Sequence, residues 1–114
     1  MNTLDIARSI VTTLEDKKGE DILLLDIHEV TYFADYFILC NGTSDRMLSS
    51  LAQAVVEAAK SNHKLRGTVQ GQPQDGWIVV DLGDIVVHLF SPDQRDYYRL
   101  EQLWENGRVL LRVQ

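Results

Sequence analysis

The clearest alternation of apolar and polar positions lies in residues 76–92, where two apolar runs flank a Leu-Gly-Asp step. A tight turn with glycine at positive φ is typical of this arrangement, which predicts a β-hairpin with Gly83 and Asp84 as its turn residues. A turn one residue earlier is the alternative. That register would set Asp81 directly opposite Asp84, and because like charges that face each other destabilise a strand pair, we favour the first register.

The two faces of the predicted hairpin differ in chemistry, because successive side chains of a strand point to opposite sides. One face is wholly apolar and comprises Ile78, Val80, Leu82, Ile85, Val87 and Leu89. The other, called the mixed face below, comprises Trp77, Val79, Asp81, Val86, His88 and Phe90. The apolar face requires a cover of helices. Large aromatics beside a carboxylate and an imidazole suit a binding partner better than a core.

Apolar periodicity predicts the remaining elements on either side of the hairpin. They are helices over residues 4–17 and 44–62, strands over 22–27, 36–41 and 68–70, and a helix that starts at Pro92 and continues through Leu103 and Trp104. Residues 105–114 fit either an edge strand or a loose tail. The 114 residues therefore predict one α/β (α+β) domain, a mixed five-stranded sheet in the order α-β-β-α-β-β-β-α with helices mainly on one side.

Helix ends and strand neighbours follow from local chemistry. Asn2 and Ser44 have side chains typical of N-caps and precede the first and second helices. Ser91 before a proline marks the start of the third helix. The seven-residue loop 28–34, between strands 22–27 and 36–41, is too short for a helical crossover. It therefore indicates that these two strands are antiparallel neighbours.

Composition and charge restrict the class of protein. A single cysteine, Cys40, excludes an internal disulfide, and its apolar strand predicts a buried, inert thiol. No apolar run approaches the ~20 residues that span a bilayer, and the N-terminus lacks a signal-peptide pattern, so we expect a cytoplasmic protein. The net charge is −6, from 17 acidic and 11 basic residues with no cluster of Lys or Arg. Direct nucleic-acid binding is therefore not expected, and a basic protein partner fits the charge better.

Few residues are arranged for catalysis or metal binding. Gly42-Thr43-Ser44 between a strand and a helix fits an anion site or, as we favour, a glycine turn and a capping serine. A small nucleotidyl or phosphoryl transferase that uses Thr43 and Ser44 with Asp81 and Asp84 is the enzyme alternative. These carboxylates flank a turn, however, and do not alternate along one strand as a Mg²⁺ pair would. The three histidines lack metal-ligand spacing, so we expect no cofactor and no metal.

Several short motifs are similar, in order and spacing, to the ribosomal silencing factor family, which is also called iojap-like. The motifs are Ala34-Asp35-Tyr36-Phe37, Gly42-Thr43-Ser44-Asp45-Arg46, Gly76-Trp77, Asp81, Gly83-Asp84, Val86-Val87-His88 and Phe90-Ser91-Pro92. The resemblance covers residues 21–104. It implies a domain related to the nucleotidyltransferase fold but without its catalytic carboxylates, and therefore a protein that is not an enzyme.

The same resemblance implies a partner and a mode of action. Family members bind the large ribosomal subunit through its protein number fourteen, block joining of the small subunit and repress translation when nutrients are scarce. Relatives form homodimers, and the organelle members act in large-subunit assembly. On this chain the residues expected to bind the partner are Trp77, Asp81, His88 and Phe90, with Asp84, Tyr36, Asp35 and Tyr98 as lesser candidates. A dimeric adaptor for another basic protein is the remaining alternative.

Overall fold

Three α-helices and six strands lie in the part of the chain that the computed structural model describes, residues 2–98 and 107–113, with only the backbone described for 96–98. The helices are α1 (Thr3–Asp16), α2 (Asp45–His63) and α3 (Pro92–Tyr98). The strands are β1 (Glu20–Asp26), β2 (Tyr36–Asn41), β3 (Thr68–Gln70), β4 (Trp77–Asp81), β5 (Ile85–Phe90) and β6 (Arg108–Val113). A 3₁₀ turn at Pro73–Asp75 precedes β4. In these ranges no helix is long and apolar enough to cross a membrane.

Polar caps determine where α1 and α2 begin. The Asn2 side chain accepts a hydrogen bond from the Asp5 N–H (2.8 Å), and Ser44 Oγ accepts one from the Met47 N–H (3.1 Å). Each cap satisfies an N–H group that has no partner within its helix. Both predicted caps are confirmed. The first helix starts one residue earlier than expected and the second one residue later.

β4 and β5 form the predicted hairpin in the favoured register. Val80 lies opposite Val87, and the Leu82 N–H donates a hydrogen bond to the Ile85 carbonyl (2.9 Å) across the turn. Gly83 has φ of +95°, a conformation that costs a glycine little and most other residues a great deal. The apolar and mixed faces therefore point to opposite sides of the sheet, as the alternation predicts.

The strand order across the sheet is β3-β4-β5-β2-β1-β6. β1 and β2 are antiparallel neighbours, which confirms the prediction from the short link. β2 and β5 run parallel. Because parallel neighbours need a long crossover connection, the chain passes through α2 and the outer strands before it returns to pair with β2. The short strand β3 is also confirmed, at one edge of the sheet.

The sheet has six strands, where five were expected. β6 pairs antiparallel with β1, with Ile22 opposite Val113 and Leu24 opposite Leu111. Because β1 is an interior strand buried on both faces, its backbone N–H and C=O groups need a partner on each side, and β6 supplies the second one. Residues 108–113 therefore form the edge strand, one of the two alternatives for this segment. The expected helix through residues 103 and 104 lies outside the described residues.

Two apolar clusters lie on opposite faces of the sheet. The larger one packs α1 and α2 against the apolar hairpin face. It contains Cys40, which confirms the predicted burial of that thiol, and this burial raises its pKa to about 12. The smaller cluster comprises Leu23, Leu25, Ile27, Ala34, Phe37, Leu39, Val86 and Phe90. The mixed face is therefore partly core, because β1 and β2 have apolar side chains on both of their faces.

Candidate functional site: the mixed face of the sheet

Exposure along the mixed face increases from β5 to β4. On β5, Phe90 is 0% exposed and His88 is 7% exposed. On β4, Trp77 and Val79 are half-buried and Asp81 is exposed. β4 has only the short strand β3 outside it, which explains the difference. Of the four main candidates, Trp77 and Asp81 therefore offer surface to a partner, whereas His88 and Phe90 support that surface from inside.

An aromatic cluster holds Trp77 in place. Its ring stacks on Phe90 with the centroids 5.2 Å apart and the planes at 28°. The indole Nε1–H donates a hydrogen bond to His88 Nδ1 (3.3 Å), and the His88 ring lies 4.6 Å from that of Phe37. A side chain that is already ordered loses little conformational entropy when it binds. The cluster therefore pre-organises the largest side chain of the mixed face.

The protonation state of His88 follows from its burial. Burial lowers the pKa of His88 to about 4, so the ring is neutral at pH 7. Because Nδ1 accepts the hydrogen bond from Trp77, the proton of the neutral ring is on Nε2. Nε2 is buried and has no hydrogen-bond partner among the residues that the structure describes. His88 therefore orients Trp77 as a neutral acceptor and does not present a charge to a partner.

Three acidic residues meet at the hairpin-turn end of the sheet. Asp81 Oδ1 accepts a hydrogen bond from the Gly83 N–H (2.8 Å), which fixes the turn. The Asp84 carbonyl accepts hydrogen bonds from the N–H groups of Asp35 (2.8 Å) and Tyr36 (3.1 Å) at the start of β2. The structure therefore brings Asp35, Asp81 and Asp84 to one end of the sheet, and this group is called the acidic rim below.

Neither of the two tyrosines among the lesser candidates is placed on the mixed face by the described residues. Tyr36 is half-buried and packs against the helix-side cluster. Burial, followed by the charges of Asp26 and Asp35, raises the pKa of Tyr36. Tyr98 is the last residue of α3, but its side chain lies outside the described part of the chain. The structure therefore does not bring Tyr36 onto the mixed face.

Sequence reasoning missed two exposed aromatics in the link between β1 and β2. Tyr32 is fully exposed, and Phe33 is 67% exposed. The ring of Phe33 lies 6.4 Å from that of Phe37, a member of the smaller cluster. Two adjacent aromatics in a predicted loop were the signal available in the sequence, because a contiguous exposed apolar patch marks an interaction site. They extend the aromatic surface beyond the hairpin.

A polar cluster that was not predicted joins β1 to the edge strand β6. His28 Nδ1 contacts Asp26 Oδ1, and Arg108 Nη2 lies 3.6 Å from Asp26 Oδ2. Burial acts to raise the pKa of Asp26, but the hydrogen bonds from His28 and the charges of His28 and Arg108 outweigh it and lower that pKa. The hydrogen bond with Asp26, followed by the negative charge of Asp26, raises the pKa of His28. These contacts attach the start of β6 to the end of β1.

The geometry does not favour the enzyme alternative. Ser44 caps α2 after the end of β2, where Asn41 lies level with Phe90, whereas Asp81 lies level with Val86. Four residues of strand, roughly 13 Å at ~3.3 Å each, separate these two levels. In ranges 2–98 and 107–113, no group of three His, Cys, Asp or Glu residues could hold a metal ion. The proposed transferase residues therefore do not converge on one site.

Several known proteins of similar sequence are ribosomal silencing factors. The family model described as "Ribosomal silencing factor during starvation" matches residues 1–113. The chain is 39% identical over 104 residues to "Ribosomal silencing factor RsfS" of Bacillus subtilis, an alignment that covers 91% of this chain and 88% of that protein. The chain belongs to the ribosomal silencing factor family. The resemblance of the short motifs is thereby confirmed, and members of this family are named for silencing ribosomes and not for a catalysed reaction.

Solved structures and more distant relatives agree with this membership. A crystal structure of a Chromobacterium violaceum protein superposes with a TM-score of 0.87 at 35% identity, covering 92% of this chain and 88% of that one. The mouse protein "Mitochondrial assembly of ribosomal large subunit protein 1" is 32% identical over 99 residues, which are 83% of this chain and 43% of that protein. The family therefore indicates a regulator that acts on the ribosome.

Proposed function

We propose that this protein binds the large ribosomal subunit through its protein number fourteen, blocks joining of the small subunit in the cytoplasm and so represses translation when nutrients are limiting. The observation that supports this most directly is the state of Trp77. It is a large aromatic, half-buried on β4 and held by Phe90 and His88. Pre-organised aromatics of this kind are the residues that contribute most to protein–protein affinity.

The charge distribution supports a basic protein as the partner of the mixed face. The acidic rim places Asp81 and Asp84 at one end of this face, and the chain has a net charge of −6. Ribosomal proteins are mostly basic, so these carboxylates accelerate the encounter and favour one orientation. Once docked, the domain acts by occupying surface that the small subunit needs, which requires no chemical step.

The candidate residues take different roles in this proposal. Trp77 is the anchor that a partner contacts, and Asp81 is an exposed charge at the hairpin-turn end of the same strand, where it helps to steer a basic partner. His88 and Phe90 act through Trp77, because both are buried. Asp35 and Asp84 steer the encounter from the acidic rim. Tyr32 and Phe33 enlarge the contact at the β1–β2 link, whereas binding roles for Tyr36 and Tyr98 remain predictions from the sequence.

Two finer expectations are retained as proposals. A relationship to the nucleotidyltransferase fold is one, and homodimer formation is the other. Sedimentation equilibrium at micromolar protein concentration separates a monomer from a dimer. If the dimer uses the mixed face, the partner protein and a second copy will compete for it, and added partner will dissociate the dimer.

Titration calorimetry with the isolated large-subunit protein number fourteen tests the proposal. We expect Trp77→Ala to weaken binding by about 2 kcal/mol or more, some thirtyfold, because a central aromatic contact is lost. Val69→Ala is the matched control, because Val69 is 48% exposed on β3 and lies opposite Val80, a residue of the helix-side cluster, so it is on the other side of the sheet. If folded Trp77→Ala protein binds as tightly as the control, the mixed face is not the docking surface.

A further inference from the structure

A basic groove lies on the helix side of the sheet, away from the mixed face. It is an open cavity of about 700 Å³ between the C-terminal part of α2 and the connection to β3. Its lining residues are Val56, Lys60, Lys64, Leu65, Arg66 and Gly67. The three cationic side chains are exposed, whereas Val56 and Leu65 are half-buried and form an apolar floor. Among the residues that the structure describes, no carboxylate lines the groove.

The three cations converge because the chain reverses at the end of α2. Lys64 adopts the left-handed conformation (φ 55°) as the C-cap of α2, and the Leu65 N–H donates a hydrogen bond to the Ala59 carbonyl (3.0 Å). This turn directs Arg66 back alongside Lys60. Gly67 then packs closely on Val80 and Leu82, so the connection has little freedom to move away. The groove is therefore built into the fold.

The net charge of the chain conceals this local excess of positive charge. Within the described residues, none of Lys60, Lys64 and Arg66 has a carboxylate oxygen within 4 Å, so their charges are not neutralised by ion pairs there. The expectation that Lys and Arg form no cluster is therefore wrong. Exposed, unpaired cations around an open groove are the surface that phosphate groups require.

We propose that this basic groove binds ribosomal RNA phosphates when the protein is seated on the large subunit, an inference that rests on the proposed function. The groove opens near the hairpin-turn end of the sheet, because Gly67 contacts Leu82 and Thr68 lies opposite Asp81. The mixed face and the groove are thus adjacent but point in different directions. Ribosomal proteins are mostly basic, so RNA is the abundant negatively charged component beside a protein docked on that subunit.

Equilibrium binding to purified large subunits over a range of salt concentrations tests the inference. The test variant is K60Q/K64Q/R66Q. The control is K17Q/K18Q/R46Q, which removes the same charge from exposed positions at the other end of the helix layer. The plot of log K against log salt has a negative slope, which becomes less steep by about 1 for each phosphate contact that is lost. We therefore expect the slope of the test variant to be less steep by roughly 2–3. Its affinity should fall roughly tenfold relative to the control.

Two further measurements identify what the groove contacts. Both triple variants should bind isolated protein number fourteen as tightly as the unmodified chain. A photoreactive amino acid in place of Lys64 should crosslink to RNA in the bound subunit. A crosslink to protein alone, or a test variant with the affinity and salt slope of the control, would overturn the inference and leave the proposed function intact. Failure of the unmodified chain to bind large subunits would overturn the proposed function itself.

Discussion

The two faces of the sheet have the same backbone but different energetic roles. The helix-side face is covered by α1 and α2, and its cluster contains residues such as Leu51 and Val55 that are 0% exposed. On the mixed face the centre is buried as well, but exposure increases toward β4, where Trp77 is only half-buried. A face can therefore contribute to the core at its centre and bind a partner at its edge, and the variants below separate the two roles.

Leu51→Ala is expected to have the largest effect on folding. Leu51 is fully buried between α2 and the sheet, so its truncation leaves a cavity and should lower the free energy of unfolding by about 2–5 kcal/mol. Chemical denaturation measures this loss. Binding per folded molecule should be unchanged, because Leu51 is on the helix side. A Leu51→Ala protein that folds normally but no longer binds would show that the two roles are not separable in this way.

The pH dependence of stability tests the buried state of His88. Its pKa is about 4 in the folded chain and ~6.5 when unfolded, so the unfolded state binds more protons between these values. The free energy of unfolding therefore decreases as the pH falls from about 6.5 to 4. At pH 5 it should be about 2 kcal/mol lower than at pH 7 through this group. His28 acts in the opposite direction, because its pKa is raised.

Denaturant unfolding at pH 7 and pH 5 isolates the contribution of His88. His88→Phe keeps an aromatic ring in the cluster and should abolish this part of the acid loss. His63→Gln is the control, since His63 is half-buried at the end of α2 and hydrogen-bonds Ser9. Equal acid losses in both variants would mean that His88 is not buried as described.

Ser44→Ala should have a smaller effect, confined to the start of α2. Removal of the side chain that accepts the Met47 N–H should cost about 1 kcal/mol of stability. Affinity for the partner should not change. If Ser44→Ala abolished ribosome binding while stability was maintained, Gly42-Thr43-Ser44 would have a binding role, which favours the anion-site interpretation of this segment.

The smallest expected effect is that of the acidic rim on association kinetics. Asp81→Asn with Asp84→Asn keeps the shape of the turn but removes two charges, so the association rate with a basic partner should fall a few-fold at low salt. Stopped-flow measurements at low and high salt detect this, and the difference should disappear at high salt. A change in the dissociation rate alone would indicate a buried contact and not steering.

Local features of this fold could be predicted from the sequence, whereas features that depend on distant neighbours could not. The hairpin register follows from one Gly-Asp step, and the caps at Asn2 and Ser44 follow from single side chains. The burial of Phe90 does not, because it depends on β1 and β2 having apolar side chains on both faces. The convergence of Lys60 and Arg66 likewise depends on the backbone reversal at Lys64.

Subunit joining tests the central claim most directly. Purified small and large subunits are mixed at a fixed Mg²⁺ concentration with no added protein, with this protein or with Trp77→Ala, and are separated on sucrose gradients. We expect the unmodified protein to reduce the peak of joined ribosomes and to migrate with the large subunit, whereas Trp77→Ala should do neither. An unchanged peak of joined ribosomes with the unmodified protein at saturating concentration would contradict the account.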